Sequence, residues 1–170
     1  MLLYCFNVAW KKRRILFVCL GNICRSPLGE GLLRHFAAER GLSHLLETAS
    51  AGTGGWHLGD PPDRRSIAVA RSHGVDISAQ RARQLTAADF NRFDMIFAMD
   101  RNNLRDIVRL APHDSSADLH LFMDFVSGTA RDVPDPYYGE AGDFEAVFAM
   151  LENGCRNLLD ILFRAKSPAG

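Results

Sequence analysis

The chain has 170 residues, long enough for one domain with a sizeable core, and its 20 Lys and Arg offset 20 Asp and Glu to a formal net charge of zero. That balance excludes the basic field of a nucleic-acid binder and the acidic excess of a disordered chain. Four Cys without regular spacing form no disulfide framework, no Cys/His set stands at zinc spacing, and no apolar run approaches the ~18 residues that span a membrane. The expectation is a cytoplasmic protein of a reducing compartment, without metal or other cofactor, that carries at least one working thiol. Met1–Trp10 is mildly apolar and is followed by the basic cluster Lys11–Arg14, the reverse of the charge order in a secretory signal.

Ile15 to Leu20 is a short apolar run of branched and aromatic residues, the pattern of a buried strand. It ends in Gly21-Asn22, residue types that accept the positive φ of a tight turn. Ser26 suits a helix N-cap and Pro27 the first helical position, with Leu28, Leu32, Leu33 and Phe36 at helical spacing behind them. Leu45–Ala51 reads as a second strand, and the glycine-rich stretch to Gly59 as a loop carrying Trp56. Asp63–His73 is helical in pattern and closes at Gly74. Phe93–Met99 is a third strand, and Asp100 caps a helix over 101–110. Leu119–Phe122 is a fourth strand, 124–142 a long loop, and 144–162 an amphipathic helix whose apolar stripe includes Cys155. Strands alternating with helices predict an α/β fold: a single-domain three-layer sandwich, a four-stranded parallel sheet with helices on both faces. In such sheets ligands bind at the carboxyl ends of the strands, where Cys19 stands.

A strand, a tight loop and a helix N-terminus in succession aim backbone N–H groups and a helix dipole at one point, which makes an anion site. Cys19 opens this loop and Arg25 closes it. Thiols ionise readily in a field of N–H dipoles and a guanidinium, and the planar fork of Arg holds two oxygens of a phosphate. A thiolate beneath a phosphate is poised to attack phosphorus. Cys-x5-Arg by itself is weak, since chance supplies about 0.4 such pairs in a chain of this composition. The surrounding strand, Gly-Asn turn and Ser-Pro make it specific.

The string C-L-G-N-I-C-R-S-P over Cys19–Pro27 resembles, at every position, the active-site signature of the low-molecular-weight protein tyrosine phosphatases. The resemblance runs from about Arg14 to Leu162, and because chains of that family usually begin just before the first strand it makes residues 1–13 an N-terminal extension and 14–165 a single phosphatase domain. It implies the fold of that family and hydrolysis of phosphotyrosine through a phosphocysteine on Cys19. The phosphate would be cradled by Leu20, Gly21, Asn22, Ile23, Cys24, Arg25 and Ser26. Downstream, Val133-Pro134-Asp135-Pro136-Tyr137-Tyr138 resembles the family's acid loop, which makes Asp135 general acid and then general base. Asp132 is the nearest rival carboxylate, and a Pro-rich surface turn is the plain alternative. Tyr137 and Tyr138 would flank the substrate ring.

By the same resemblance Asn22, Ser26, Ser50 and His73 form a polar network behind the loop, and Ser26 also donates to the Cys19 thiolate. His73 equally suits the dipole at a helix end. Cys24 would be a resolving thiol that forms a reversible disulfide with Cys19, or else a small packed side chain. Trp56 would stack at the cleft rim, or lie in the core. Ile23, where the similar protein-arginine phosphatases carry Thr, and the Tyr pair favour phosphotyrosine.

The alternatives are a thioredoxin-coupled arsenate reductase, which needs two downstream thiols where only Cys155 stands, and a non-catalytic phosphate-binding module, which has no use for Asp135. Expected partners are tyrosine-phosphorylated proteins and a cognate tyrosine kinase, with no nucleic acid and no membrane, for a monomer or weak dimer.

Overall fold

In a computed structural model, residues 10–164 are described. Four strands form one parallel sheet in the order β2-β1-β3-β4: β1 (Arg13–Cys19), β2 (Leu46–Gly52), β3 (Met95–Ala98) and β4 (Asp118–Leu121). Six helices connect or cover them: α1 (Arg25–Glu39), α2 (Arg64–Ser72), α3 (Asp89–Arg92), α4 (Arg101–Leu110), α5 (Phe122–Ser127) and α6 (Ala141–Phe163). A 3-10 turn at Ser43–Leu45 leads into β2.

Side chains alternate across the two central strands, so each face of the sheet builds its own core. Ile15, Phe17, Met95 and Phe97 pack against α1, α2, α5 and α6, in a cluster that includes Leu28, Leu32, Val126, Phe148 and Leu151. Leu16, Val18, Ile96 and Ala98 pack against α3 and α4 through Phe90 and Ile107. Phe17, Phe97 and Phe122 meet tilted or edge-on, with centroids 5.4–5.9 Å apart. The three-layer α/β sandwich stands as read from the sequence.

Four differences are local. The predicted loop over 124–142 holds a short helix at its start, because Phe122, Met123 and Val126 turn into the core and Gly128 (φ 66°) ends the turn left-handed. α6 begins three residues earlier than its apolar stripe, on a capping box of Glu140 and Asp143. α1 starts at Arg25 with Cys24 at the cap position and no side-chain cap, so Ser26 is not the N-cap. β1 begins at Arg13, which pairs with Leu46. Trp10, within the expected extension, packs edge-on against Phe163 with centroids 6.0 Å apart. Residues 1–9 of that extension, with Cys5, lie outside the described residues, as does the end of the domain at 165.

Strand order reverses between β1 and β3, and the crevice beyond their carboxyl ends is where an open α/β sheet binds ligands. Cys19 ends β1, and Asp100 stands two residues beyond β3.

Candidate active site

β1 carries Cys19 to a position 2% exposed. The chain then turns through Asn22, whose φ of 56° is the one positive value at a non-glycine residue among those described. The turn wraps closely around the end of β2: a Cβ on Gly52 would come within 2.7 Å of the Leu20 carbonyl. None of the backbone N–H groups from Leu20 to Cys24 donates to another group among the described residues. Buried N–H groups are normally paired, so an unpaired set curled ahead of a helix N-terminus is a cradle for an anion.

The loop is pinned from behind. Asn22 Nδ2 donates to Ser26 Oγ (2.9 Å) and to Ser50 Oγ (3.0 Å), while its Oδ1 accepts from the Arg83 N–H (2.9 Å). Ser50 Oγ donates to Glu30 Oε2 at 2.7 Å. Ser26 Oγ lies 3.0 Å from Cys19 Sγ and 3.3 Å from the Ala51 carbonyl. Since Ser26 already accepts from Asn22, its single proton goes to the sulfur or to that carbonyl. Thus Ser26 meets the sulfur from inside the helix rather than capping it. His73 does not join this network. Its Nε2 sits 3.2 Å from Glu145 Oε2, its ring stacks on Phe148 at 4.3 Å, and it occupies the C-cap of α2. The outer member of the network is Glu30 of α1, which the sequence did not single out.

Arg25 is 2% exposed. Its Nη1 donates to Asp100 Oδ2 (2.6 Å) and to the Val133 carbonyl (3.0 Å), and its Nη2 to Asp135 Oδ2 (3.2 Å). Nε is buried and has no partner. Burial works against the Arg25 charge, but Cys19, Asp100 and Asp135 outweigh it and hold the guanidinium above its ordinary pKa. Asp100 divides its carboxylate: Oδ1 accepts from the Asn103 N–H (2.7 Å) and caps α4, Oδ2 takes Arg25. Only the capping role was legible in sequence; a carboxylate just past a buried parallel strand was the missed signal.

The segment 132–139 crosses over the cradle. Val133 is buried and donates its N–H to the Met99 carbonyl (2.8 Å), anchoring the loop to the end of β3. Asp135 Oδ1 accepts from the Tyr137 N–H (3.1 Å). Asp132, the rival, accepts from the Arg101 N–H at the start of α4 (3.1 Å) and does not line the cleft. Arg65, unnoticed in sequence, ties the loop from α2. Its Nη2 donates to the Tyr137 carbonyl (2.9 Å), its Nη1 to Gly139 (3.3 Å), and its guanidinium lies 4.4 Å over the Phe144 ring. Asp63 orients Arg65 through two side-chain hydrogen bonds of 2.9 and 3.0 Å, and that pairing keeps the Asp63 carboxyl below its ordinary range. The Asp63 N–H reaches the Ile23 carbonyl (2.7 Å), so the N-terminus of α2 touches both loops.

Between the loops lies a cleft of about 290 Å³. Cys19, Cys24 and Arg25 form its base, and Ile23, Trp56, His57, Asp135 and the two tyrosines line it. Tyr137 and Tyr138 meet edge-on at 4.9 Å, and Tyr138 is almost wholly in solvent. Trp56 belongs to the rim, not to the core. His57 was not foreseen; its Nδ1 is 3.1 Å from Asp60 Oδ2. Cys19, Cys24 and Cys155 are unpaired thiols. Burial first, and the Asp63 carboxylate next, push the Cys24 thiol up to about 12. Cys155 is sealed in the core against the Gly29 carbonyl (3.6 Å) and offers no mobile downstream thiol.

A thiol at the base of an unpaired N–H cradle, a buried Arg beside it and a carboxyl above define a cysteine-dependent phosphatase site on an α/β sandwich. The family model for low molecular weight phosphotyrosine protein phosphatases matches residues 14–167, and the chain belongs to that family. It is 42% identical over 151 residues to the low molecular weight phosphotyrosine protein phosphatase of Schizosaccharomyces pombe, covering 88% of this chain and 96% of that protein. The crystal structure of YfkJ from Bacillus subtilis superposes with a TM-score of 0.84 at 38% identity, over 94% of this chain and 99% of that one. A Drosophila arginine phosphatase superposes with a TM-score of 0.83 at 30% identity, over 90% and 99%. Among the described residues no helix is long and apolar enough to cross a membrane.

Proposed function

We propose that the chain hydrolyses phosphotyrosine in proteins, through a phosphocysteine on Cys19, with the catalytic domain spanning 14–165 and residues 1–13 an extension. The observation that carries this is the meeting of Cys19, the unpaired N–H groups of the loop and the buried Arg25 fork beneath Asp135, in a cleft walled by aromatic rings. The loop N–H groups and the unpartnered Arg25 Nε take the phosphate oxygens and stabilise the charge that grows on them in the transition state. Cys19 Sγ forms the S–P bond as the P–O bond to the tyrosine ring breaks, and Asp135 gives its proton to the departing phenolate oxygen. Asp135 then takes a proton from water as that water attacks phosphorus, and Cys19 leaves as thiolate with Ser26 donating to it. The proposed partners are tyrosine-phosphorylated proteins, in a reducing, cytoplasmic setting. Cys24, in the same cleft, is proposed as the thiol that traps an oxidised Cys19.

Ile23, Trp56 and Tyr137 line the cleft with apolar and aromatic surface that suits a phenyl ring, which supports phosphotyrosine over phosphoarginine. The buried Cys155 speaks against arsenate reduction, and the retained Asp135 against a mere binding module. The test uses leaving-group basicity. A tyrosine phenolate, parent pKa about 10, needs the proton far more than a nitrophenolate does. Asp135→Asn should therefore slow phosphotyrosine cleavage much more than nitrophenyl phosphate cleavage, without added metal and with chelator present. If Asp132→Asn shows that trend instead, the acid is Asp132. If neither does, the acid-loop reading fails.

A further inference from the structure

A second groove adjoins the catalytic cleft and shares two of its walls. Leu20, the apolar residue after the nucleophile, is 43% exposed, and Trp56 is 73% exposed. Both face the cleft on one side. On the other they line a groove of about 280 Å³ that is completed by Thr53, Asp106, Arg109 and Leu110. The indole is held there by construction. It lies on Gly54 so closely that a Cβ at that position would sit 1.8 Å from the ring. Gly54 N–H in turn donates to the Leu20 carbonyl and Thr53 N–H to the Cys19 carbonyl, each at 2.9 Å. The partition between the two hollows is thus fastened to the phosphate loop itself.

No step of aryl phosphate cleavage uses this groove. A protein substrate nonetheless has to lead its chain across the rim on both sides of the phosphotyrosine. Successive residues of an extended chain advance about 3.3 Å, so the partition is crossed within a few residues. Beyond it Leu20, Trp56 and the half-exposed Leu110 offer apolar surface. At the same place the Asp106 carboxylate and Arg109 guanidinium, 3.6 Å apart, offer an acceptor for a backbone N–H and a donor for a backbone carbonyl. An extended peptide with an apolar side chain answers both features, and its path is continuous with the cleft.

We propose that this groove docks the segment flanking the phosphotyrosine of a protein substrate, selecting an apolar side chain one to three residues away. The inference rests on the phosphotyrosine reading above. Its test is a set of phosphotyrosine peptides with Leu or Gly scanned through the three positions on each side, with nitrophenyl phosphate as a substrate that has no flanks. Wild type should favour Leu over Gly at one of these positions by about fivefold to tenfold in kcat/KM, expressed mainly in KM. Leu110→Ser, an exposed change at the end of α4, should erase that preference and leave nitrophenyl phosphate kinetics unchanged. Val108→Ser, exposed on the same helix but outside the groove, should leave both unchanged. Equal turnover of all peptides by wild type overturns the proposal, and so does a preference that survives Leu110→Ser, or a loss shared by nitrophenyl phosphate. A wild type inert toward every aryl phosphate would instead sink the phosphatase reading, so the two failures are distinct.

Discussion

The loop that carries the proposed nucleophile, Cys19, and the loop that carries the proposed acid, Asp135, are held in opposite ways. From Cys19 to Ser26 the chain is buried except around Leu20 and Gly21, and its side chains bond to each other and to the adjacent strand β2. From Asp132 to Gly139 the chain is largely exposed, with Val133 and Pro136 turned inward. Asp132 is fixed to the start of α4 and Val133 to the end of β3, and the rest is tied down by two arginines from other elements, Arg25 and Arg65. A nucleophile needs fixed geometry and a dry setting, which burial supplies. An acid that must meet substrate, then water, has to stand at the open edge, and distant cations hold it there.

The largest effect should come from the buried loop. Cys19→Ser should abolish aryl phosphate turnover, a loss on the order of 10⁴-fold or more, because a hydroxyl is a poor nucleophile and leaving group here. Thermal unfolding should stay within a few degrees of wild type. Measurable turnover by this variant would remove the covalent route.

Arg25→Lys should lower kcat/KM by roughly 10²- to 10³-fold, since a point charge cannot reproduce a fork that also reaches Asp100, Val133 and Asp135. It joins the two loops, so both phosphotyrosine and nitrophenyl phosphate should suffer. A loss confined to phosphotyrosine would mean that Arg25 serves the acid loop alone.

Arg65→Met tests the exposed loop by itself. Loosening the Tyr137 and Gly139 carbonyls should reduce phosphotyrosine turnover about tenfold and nitrophenyl phosphate turnover much less. Combined with Asp135→Asn it should add little, because the two act through one proton transfer. Equal losses on both substrates would show that Arg65 acts through Asp63 and Ile23 on the phosphate loop instead.

Cys24→Ser should alter turnover least. Its readout is oxidation by peroxide, which converts the Cys19 thiol to a sulfenic acid. The Cys24 thiolate then displaces hydroxide from that sulfur to close the disulfide. With the Cys24 thiol pushed up to about 12, it is protonated at neutral pH, and raising the pH supplies more thiolate. Disulfide formation after the peroxide is quenched should therefore quicken about tenfold per pH unit between 7 and 9. The recoverable activity should vanish in Cys24→Ser. Equal recovery in both proteins leaves Cys24 as a packed side chain.

What the sequence determined by itself was most of the local structure. The branched run before Cys19, the turn types at 21–22 and the apolar stripe of α6 each specify their own element within a few residues. Because the proposed nucleophile Cys19 and the proposed phosphate-binding Arg25 lie on one such element, the heart of the site was legible from their spacing together with the strand, the Gly-Asn turn and the Ser-Pro around them. The tertiary structure decided which distant groups reach that loop. Reversal of strand order between β1 and β3 brings Asp100 beside Arg25, and packing of α2 near 132–139 hands Arg65 the Tyr137 carbonyl. In the same way Glu30 rather than His73 completes the Asn22 and Ser50 network: Glu30 lies on the helix leaving the loop, whereas His73, at the far end of α2, finds Glu145 and Phe148 on α6. The Ser26 hydroxyl, too, is claimed by the sulfur and Asn22 once the loop closes. Such pairings depend on angles and offsets between elements, set by how two hydrophobic faces of a sheet are covered, and no spacing along the chain records them.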